Sequence, residues 1–225
     1  MKIDYKLVRS SNRKTLSIRI EQYTAKVIVS APINMSLARI SEFVQSKSSW
    51  IITHINKVNK NNQLLPKILS GEKIYIAGKN YILNICGCKK PSVTGQFINL
   101  RENNAKGDLE LIAKKLFIFY AQEKTALLAK QFGFNYNSVA VGKASTKWGS
   151  CSPKREIIYS VALSFVPDDI SDYVILHELC HTKQMNHGKN FYSLLKSCLP
   201  DYKEKEKRLK NYSSFLHFLK DKNIE

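Results

Sequence analysis

His177, Glu178 and His181 stand in the order His-Glu-Leu-Cys-His, and His187 follows after five intervening residues. On a helix, the imidazoles of His177 and His181 lie one turn apart on the same side and can converge on one ion. Two neutral imidazoles suit zinc, and the carboxylate between them can hold and deprotonate a water. A catalytic zinc takes three protein ligands and keeps a fourth position open. His187 can be the third ligand if the chain turns back, and Asn186 and Gly188 tolerate such a turn. The expectation is a Zn2+ cofactor on His177, His181 and His187, with Glu178 as the acid/base.

A His-Glu-x-x-His match arises by chance in a chain of this composition with a probability of about 0.5%, so the surroundings must carry part of the argument. Ile170, Tyr173, Val174, Ile175, Leu176, Leu179 and Cys180 make the segment apolar nearly all round, the pattern of a buried helix. Two histidines and a glutamate there are costly to desolvate unless they share a partner, and a metal satisfies all three. The competing reading makes His177 and His181 hydrogen-bonded core histidines with Glu178 at the surface.

The elements that must position these residues follow from periodicity and punctuation. Pro167, Asp168 and Asp169 mark a helix start, and the helix should run from about Asp169 to Met185. Asn190 to Cys198 reads as a second helix stopped near Pro200, and Tyr202 to Phe218 as a third with a charged face. Upstream, SVAVGKAS and REIIYSVALSFV read as strands flanking a polar WGSCS turn. The turn packs Trp148 and a small thiol, Cys151; the sharper alternative brings Cys151 to the metal or makes it redox-sensitive. Asp108 to Gln131 traces a long helix ending before Gly133.

The first hundred residues look sheet-rich. TLSIRI and AKVIVSA form a hairpin, KIYIAG and NYILNIC turn at Gly78, and QFINL is a third strand there. One amphipathic helix spans Met35 to about Asn59, with Ser36 as N-cap and Trp50 packed on it.

With 225 residues, 44% hydrophobic, 24% charged, nine Gly and six Pro, the chain is long enough to bury a core. Collagen, low-complexity disorder and disulfide miniproteins are excluded. There is no apolar run of about eighteen residues and no secretory leader pattern, so a cytoplasmic protein without membrane partners is expected. Five cysteines without C-x2-C pairs suggest reduced thiols. The net charge of +18 is uneven: residues 1–150 carry 24 basic and 8 acidic side chains, residues 151–225 carry 12 and 10. The basic N-terminal part is a candidate surface for nucleic acid or nucleotide. Lysine outnumbers arginine 29 to 7, however, and background composition explains the charge at least as well.

KWGSCS at 147–152, SVALSFVPDDISDYVILHELCH at 160–181, MNHGKNF at 185–191 and LPDY at 199–202 together resemble the YgjP-like metallopeptidases, relatives of the WLM and SprT-like zincins. The likeness extends through RKTLSIRI, VSAP and KSSWI. It implies an α+β fold with a sheet-rich N-terminal part and a C-terminal minimal zincin domain on an active-site helix. It also implies that His177, His181 and His187 bind zinc and that Glu178 is catalytic. Lys147 stands where members usually carry Arg, and Gly188 where Ser is common. Gln184 occupies the place of the metzincin turn glycine, which disfavours that group.

The resulting expectation is a basic, β-rich N-terminal module over residues 1–103 and a zincin-like metallopeptidase domain over 104–225. Its substrate would be a protein or peptide. Candidate oxyanion partners are Tyr173, Tyr192, Tyr202 and Arg155, and candidate acceptors orienting the imidazoles are Asp172, Asn190 and Asp201. By analogy with other zincins, a strand near Ser138 to Ala144 could hold an extended peptide by edge pairing. Two rival readings stand beside it: a metal-dependent nucleotide or phosphoanhydride hydrolase on the same site, and a nucleic-acid-associated protease or binding module using the basic surface.

Overall fold

The computed structural model describes residues 3–144 and 146–218. Contacts divide the chain into two compact units, Met1–Leu65 and Pro66–Glu225. The 103/104 boundary drawn from the sequence thus falls within the second unit.

In the first unit, strands β1 (Lys6–Ser10), β2 (Ser17–Ile20) and β3 (Val27–Pro32) form a sheet in the order β1-β3-β2. The expected hairpin is the antiparallel β2–β3 pair, and β1 adds to β3 in parallel. Val27, Val29 and Ala31 alternate inward along β3 and meet Ile40, Val44, Ile51 and Val58 from the helices. The expected single helix is two, α1 (Leu37–Ser46) and α2 (Ser48–Asn62), broken at Lys47, whose φ of −104° and ψ of 9° leave the helical region. Ser36 caps α1 by accepting from the Arg39 amide. Trp50 is not packed as expected: it is 43% exposed and lies against the His54 ring. The exposed Arg9 guanidinium donates to the carbonyls of Ile33 and Met35 at 2.7 Å each.

The second unit holds two sheets and the remaining helices. Strands β4 (Lys73–Ile76), β5 (Lys79–Cys86), β6 (Ser92–Thr94) and β7 (Phe97–Arg101) are ordered β4-β5-β7-β6. The β4–β5 turn is made by Ala77 and Gly78, both at positive φ (49° and 82°), the geometry a two-residue hairpin favours. Helix α3 (Ala105–Phe132) buries Leu109, Ile112, Ala113, Phe117, Ala121, Thr125 and Ala129 at three- and four-residue spacing. It ends on Gly133, whose φ of 67° releases its amide to the Ala129 carbonyl.

Strands β8 (Ser138–Gly142), β9 (Gly149–Cys151) and β10 (Glu156–Ser160) form the second sheet in the order β8-β10-β9. The segment expected as a polar turn is therefore strand β9, paired antiparallel to β10. After β10 come a 3-10 turn, then α4 (Asp168–His181), α5 (Lys189–Cys198), α6 (Tyr202–Leu209) and the short α7 (Phe215–Phe218). The expected continuous helix from Tyr202 to Phe218 is thus interrupted. The fold is mixed α+β, with strands concentrated toward the N-terminus and helices toward the C-terminus. Among the described residues no helix is long and apolar enough to cross a membrane.

Candidate active site

Helix α4 carries His177, Glu178 and His181, and its first turn is tied down by the acids that mark its start. The carbonyl of Pro167 accepts from the amides of Ile170 and Ser171, both at 3.0 Å. Asp168 accepts from the Tyr75 hydroxyl on β4, and Asp169 pairs with Lys205 and Arg208 on α6. These carboxylates sit at the positive end of the helix dipole. The body of the helix is buried on all sides, and Ile170, Ile175, Leu179 and Cys180 are fully inaccessible.

The helix stops at His181, four residues earlier than the spacing suggested. Thr182 returns its hydroxyl to the Leu179 carbonyl at 2.7 Å, and the amides of Lys183 and Gln184 return to the Cys180 carbonyl. The chain then turns back through Met185–Gly188 into α5, bringing His187 to the α4 histidines. The turn uses no left-handed residue, since Gly188 has φ −86°.

The three histidines converge. One ring nitrogen from each lies within 4.8 Å of the others, and Nε2 of His187 is 3.0 Å from Nε2 of His177. Two such nitrogens either share a proton or share an ion. Two ligands of a tetrahedral zinc stand about 3.3 Å apart, so the arrangement fits the metal. Nδ1 of His181 lies 3.1 Å from the Gln184 carbonyl, which can only accept, and this leaves Nε2 with its lone pair free. That carbonyl fills the orienting role expected of a side chain. Asp172 is paired with Lys124, Asp201 with Lys205, and Asn190 is exposed.

Behind the triad stands Phe191 of α5, which sequence reasoning missed. It is fully buried, with its ring centroid 4.9, 4.6 and 4.7 Å from those of His177, His181 and His187. A wall this apolar disfavours imidazolium. Burial, then the neighbouring His181 and His187, push His177 down to about 3, and burial lowers His181 as well. Both are therefore neutral at pH 7, the form that ligates a metal.

Glu178 is 5% exposed, and burial raises its carboxyl to about 7 against the opposing charge of Lys147. It is not the surface residue of the competing reading. It lines an open cleft of about 510 Å³ together with β9 and the preceding Lys147 and Trp148. Gly149 is what allows the approach: a β-carbon there would lie 2.7 Å from Cγ of Glu178.

Of the four expected oxyanion candidates, Tyr173 alone lines this cleft. Tyr192 and Tyr202 stack on each other, and Arg155 takes a positive φ in the turn before β10. Cys151 lines the cleft, half-buried, but burial and the Glu178 charge push its thiol up to about 11, so it is protonated at neutral pH. Cys180 is core, as expected. The strand that edges the cleft is β9, not the 138–144 strand: β9 packs on α4 and lines the cleft, while no residue of 138–144 does. The carbonyl of Trp148 and the amide of Ser152 bond to β10, so the backbone groups of Gly149 and Cys151 point to the free side.

The profile of the YgjP-like metallopeptidase domain matches residues 14–212. No curated protein matches the chain. Among solved structures, the metallopeptidase zymogen of Pyrococcus abyssi abylysin is similar at 20% identity and a TM-score of 0.37, covering 40% of this chain and 90% of its own. The family match spans both units and contains every residue of the cleft, and on it the chain belongs to the YgjP-like metallopeptidase family.

Proposed function

We propose that this metallopeptidase is zinc-dependent, with His177, His181 and His187 holding the ion and Glu178 acting as general base on protein or peptide substrates. The observation that carries the reading is the convergence of three imidazoles, two of them 3.0 Å apart, beside a buried carboxylate at an open cleft. Zinc bound there supplies Lewis acidity, bringing the pKa of water toward neutrality and polarising a peptide carbonyl.

The chain's own groups supply the rest. The substrate lies along β9, its backbone meeting the free amide and carbonyl groups of Gly149 and Cys151. Glu178, poised near neutrality, takes a proton from water on its carboxylate oxygen and passes it to the departing amide nitrogen. Tyr173, which lines the cleft together with Ser150, is the candidate to donate its hydroxyl to the carbonyl oxygen as charge builds there. A phosphoanhydride substrate is less well served, since Lys147 is the one lysine or arginine among the described lining residues.

The test is metal content by mass spectrometry of wild type and of His177→Ala, His187→Ala and Glu178→Gln variants, all confirmed folded by circular dichroism. About one zinc per chain is expected in wild type and Glu178→Gln, lost in either histidine variant, with peptide cleavage lost in all three variants. A folded wild type that stays metal-free after zinc loading sinks the proposal.

A further inference from the structure

We propose that Lys147 is a specificity-determining residue that receives a carboxylate of the peptide substrate, either a terminal α-carboxylate or an Asp or Glu side chain. The inference rests on the peptidase reading of the cleft and names the substrate class it selects.

Trp148, Tyr173, Val174, Met185 and Leu209 give the cleft broad apolar walls. Charge enters the described lining through two side chains besides the histidines, Glu178 and Lys147. Glu178 is buried against Gly149, while Lys147 is exposed and has no ion-pair partner among the described residues.

The backbone that follows it is held in place. The Trp148 carbonyl accepts from the Ser160 amide at 2.8 Å, and Gly149 rests against Glu178. Lys147 thus stands at the N-terminal end of the cleft strand, with a long flexible stem. An apolar cleft with one unmatched cation selects a ligand with an apolar body and an anionic group at one end. An ammonium is a point charge without the fixed fork of a guanidinium, so it accepts a terminal or a side-chain carboxylate alike.

The experiment uses the full chain as zinc-loaded Glu178→Gln, with Trp50→Phe so that Trp148 alone reports binding by fluorescence; these are the two tryptophans of the chain. The probes are one apolar hexapeptide in four forms: with internal Glu or Gln, and with a terminal acid or amide. A carboxylate form should bind about fivefold more tightly than its amide partner at low salt, with the difference fading as salt rises. The pair that shows the difference identifies which carboxylate is received.

Lys147→Met should erase the preference, Lys147→Arg restore it, and Lys147→Glu invert it toward a lysine-bearing peptide. Equal affinities in the parent protein overturn the assignment. So does a preference that survives Lys147→Met, which would belong to the metal ion. If the charge preference is present while wild type cleaves none of the peptides, the peptidase reading fails, and Lys147 is left as a carboxylate-binding residue and not as a determinant of cleavage specificity.

Discussion

Gly149 on β9 and Glu178 on α4 are packed so closely that a β-carbon on the glycine would meet three atoms of the glutamate, Cγ, Oε1 and Cδ, at 2.7–2.9 Å. The glutamate is therefore held from the strand side as well as by its own helix. Gly149→Ala should cost about 1–3 kcal/mol of stability. It should also lower peptide cleavage at least tenfold, on the order of a misplaced catalytic group, while metal content is unchanged. Thermal denaturation, metal analysis and turnover of the one variant separate these effects. Wild-type turnover in the alanine protein would show that the contact does not position Glu178.

Phe191 is the shared wall of the three imidazoles. Phe191→Ala should destabilise the fold by about 3–5 kcal/mol and weaken zinc binding about tenfold, as loss of other supporting contacts does. Phe191→Leu should recover most of the stability. Denaturant unfolding and competition against a chelating dye read the two quantities. Unchanged zinc affinity in a folded Phe191→Ala would reduce the ring to core packing.

The free side of β9 offers the amide of Cys151 to a substrate strand. Cys151→Pro removes that donor, whereas Cys151→Ser keeps it and replaces only the thiol. Cleavage should survive the serine and fall roughly five- to tenfold in the proline variant, since a hydrogen bond is worth about 1 kcal/mol net. Metal content should be normal in both. Equal cleavage by the two variants would place the substrate elsewhere.

Asp108 joins β7 to the first turn of α3. It accepts from the Arg101 amide at 3.0 Å, from Nε and Nη2 of the same residue at 2.9 and 2.6 Å, and from Asn104 at 3.1 Å. The Arg101 hydrogen bonds hold its carboxyl below the ordinary 3.8, outweighing burial. A depressed folded value means the stabilisation is complete above the unfolded value. It is lost as pH falls below about 4 and through the folded value. Asp108→Ala should cost about 2–4 kcal/mol at pH 7 and flatten the acid limb of the stability curve. A variant whose acid unfolding follows the wild type would show that other carboxylates govern it.

The motif helix was legible because its apolar residues face every direction and its polar ones are spaced for a single ion. The return of His187 was legible as a requirement of the third ligand. What supports the triad was less so: Phe191 looks like any aromatic on an amphipathic helix, and the carbonyl of Gln184 has no signature in residue type. Strand β9 was hidden for a different reason. Gly-Ser-Cys has little strand propensity, and its conformation comes from pairing with β10 across the sheet, a long-range interaction. The glycine was the available clue, since a strand glycine marks close backbone approach. The break at Lys47 and the end of α4 at His181 were missed because apolar spacing runs on past both.

His177, one turn before the end of α4, and His187, just before α5, stand ten residues apart in sequence, yet their nitrogens nearly touch. An ion held by both would act on that loop as a disulfide acts on a loop of a secreted protein, in a chain whose five cysteines are all free thiols. Closing a loop of this length restricts the unfolded chain by on the order of 3 kcal/mol in the chain-entropy description. Unlike a covalent cross-link, this staple would be reversible, so that the supply of metal governs how firmly the turn is fastened as well as whether the site can react.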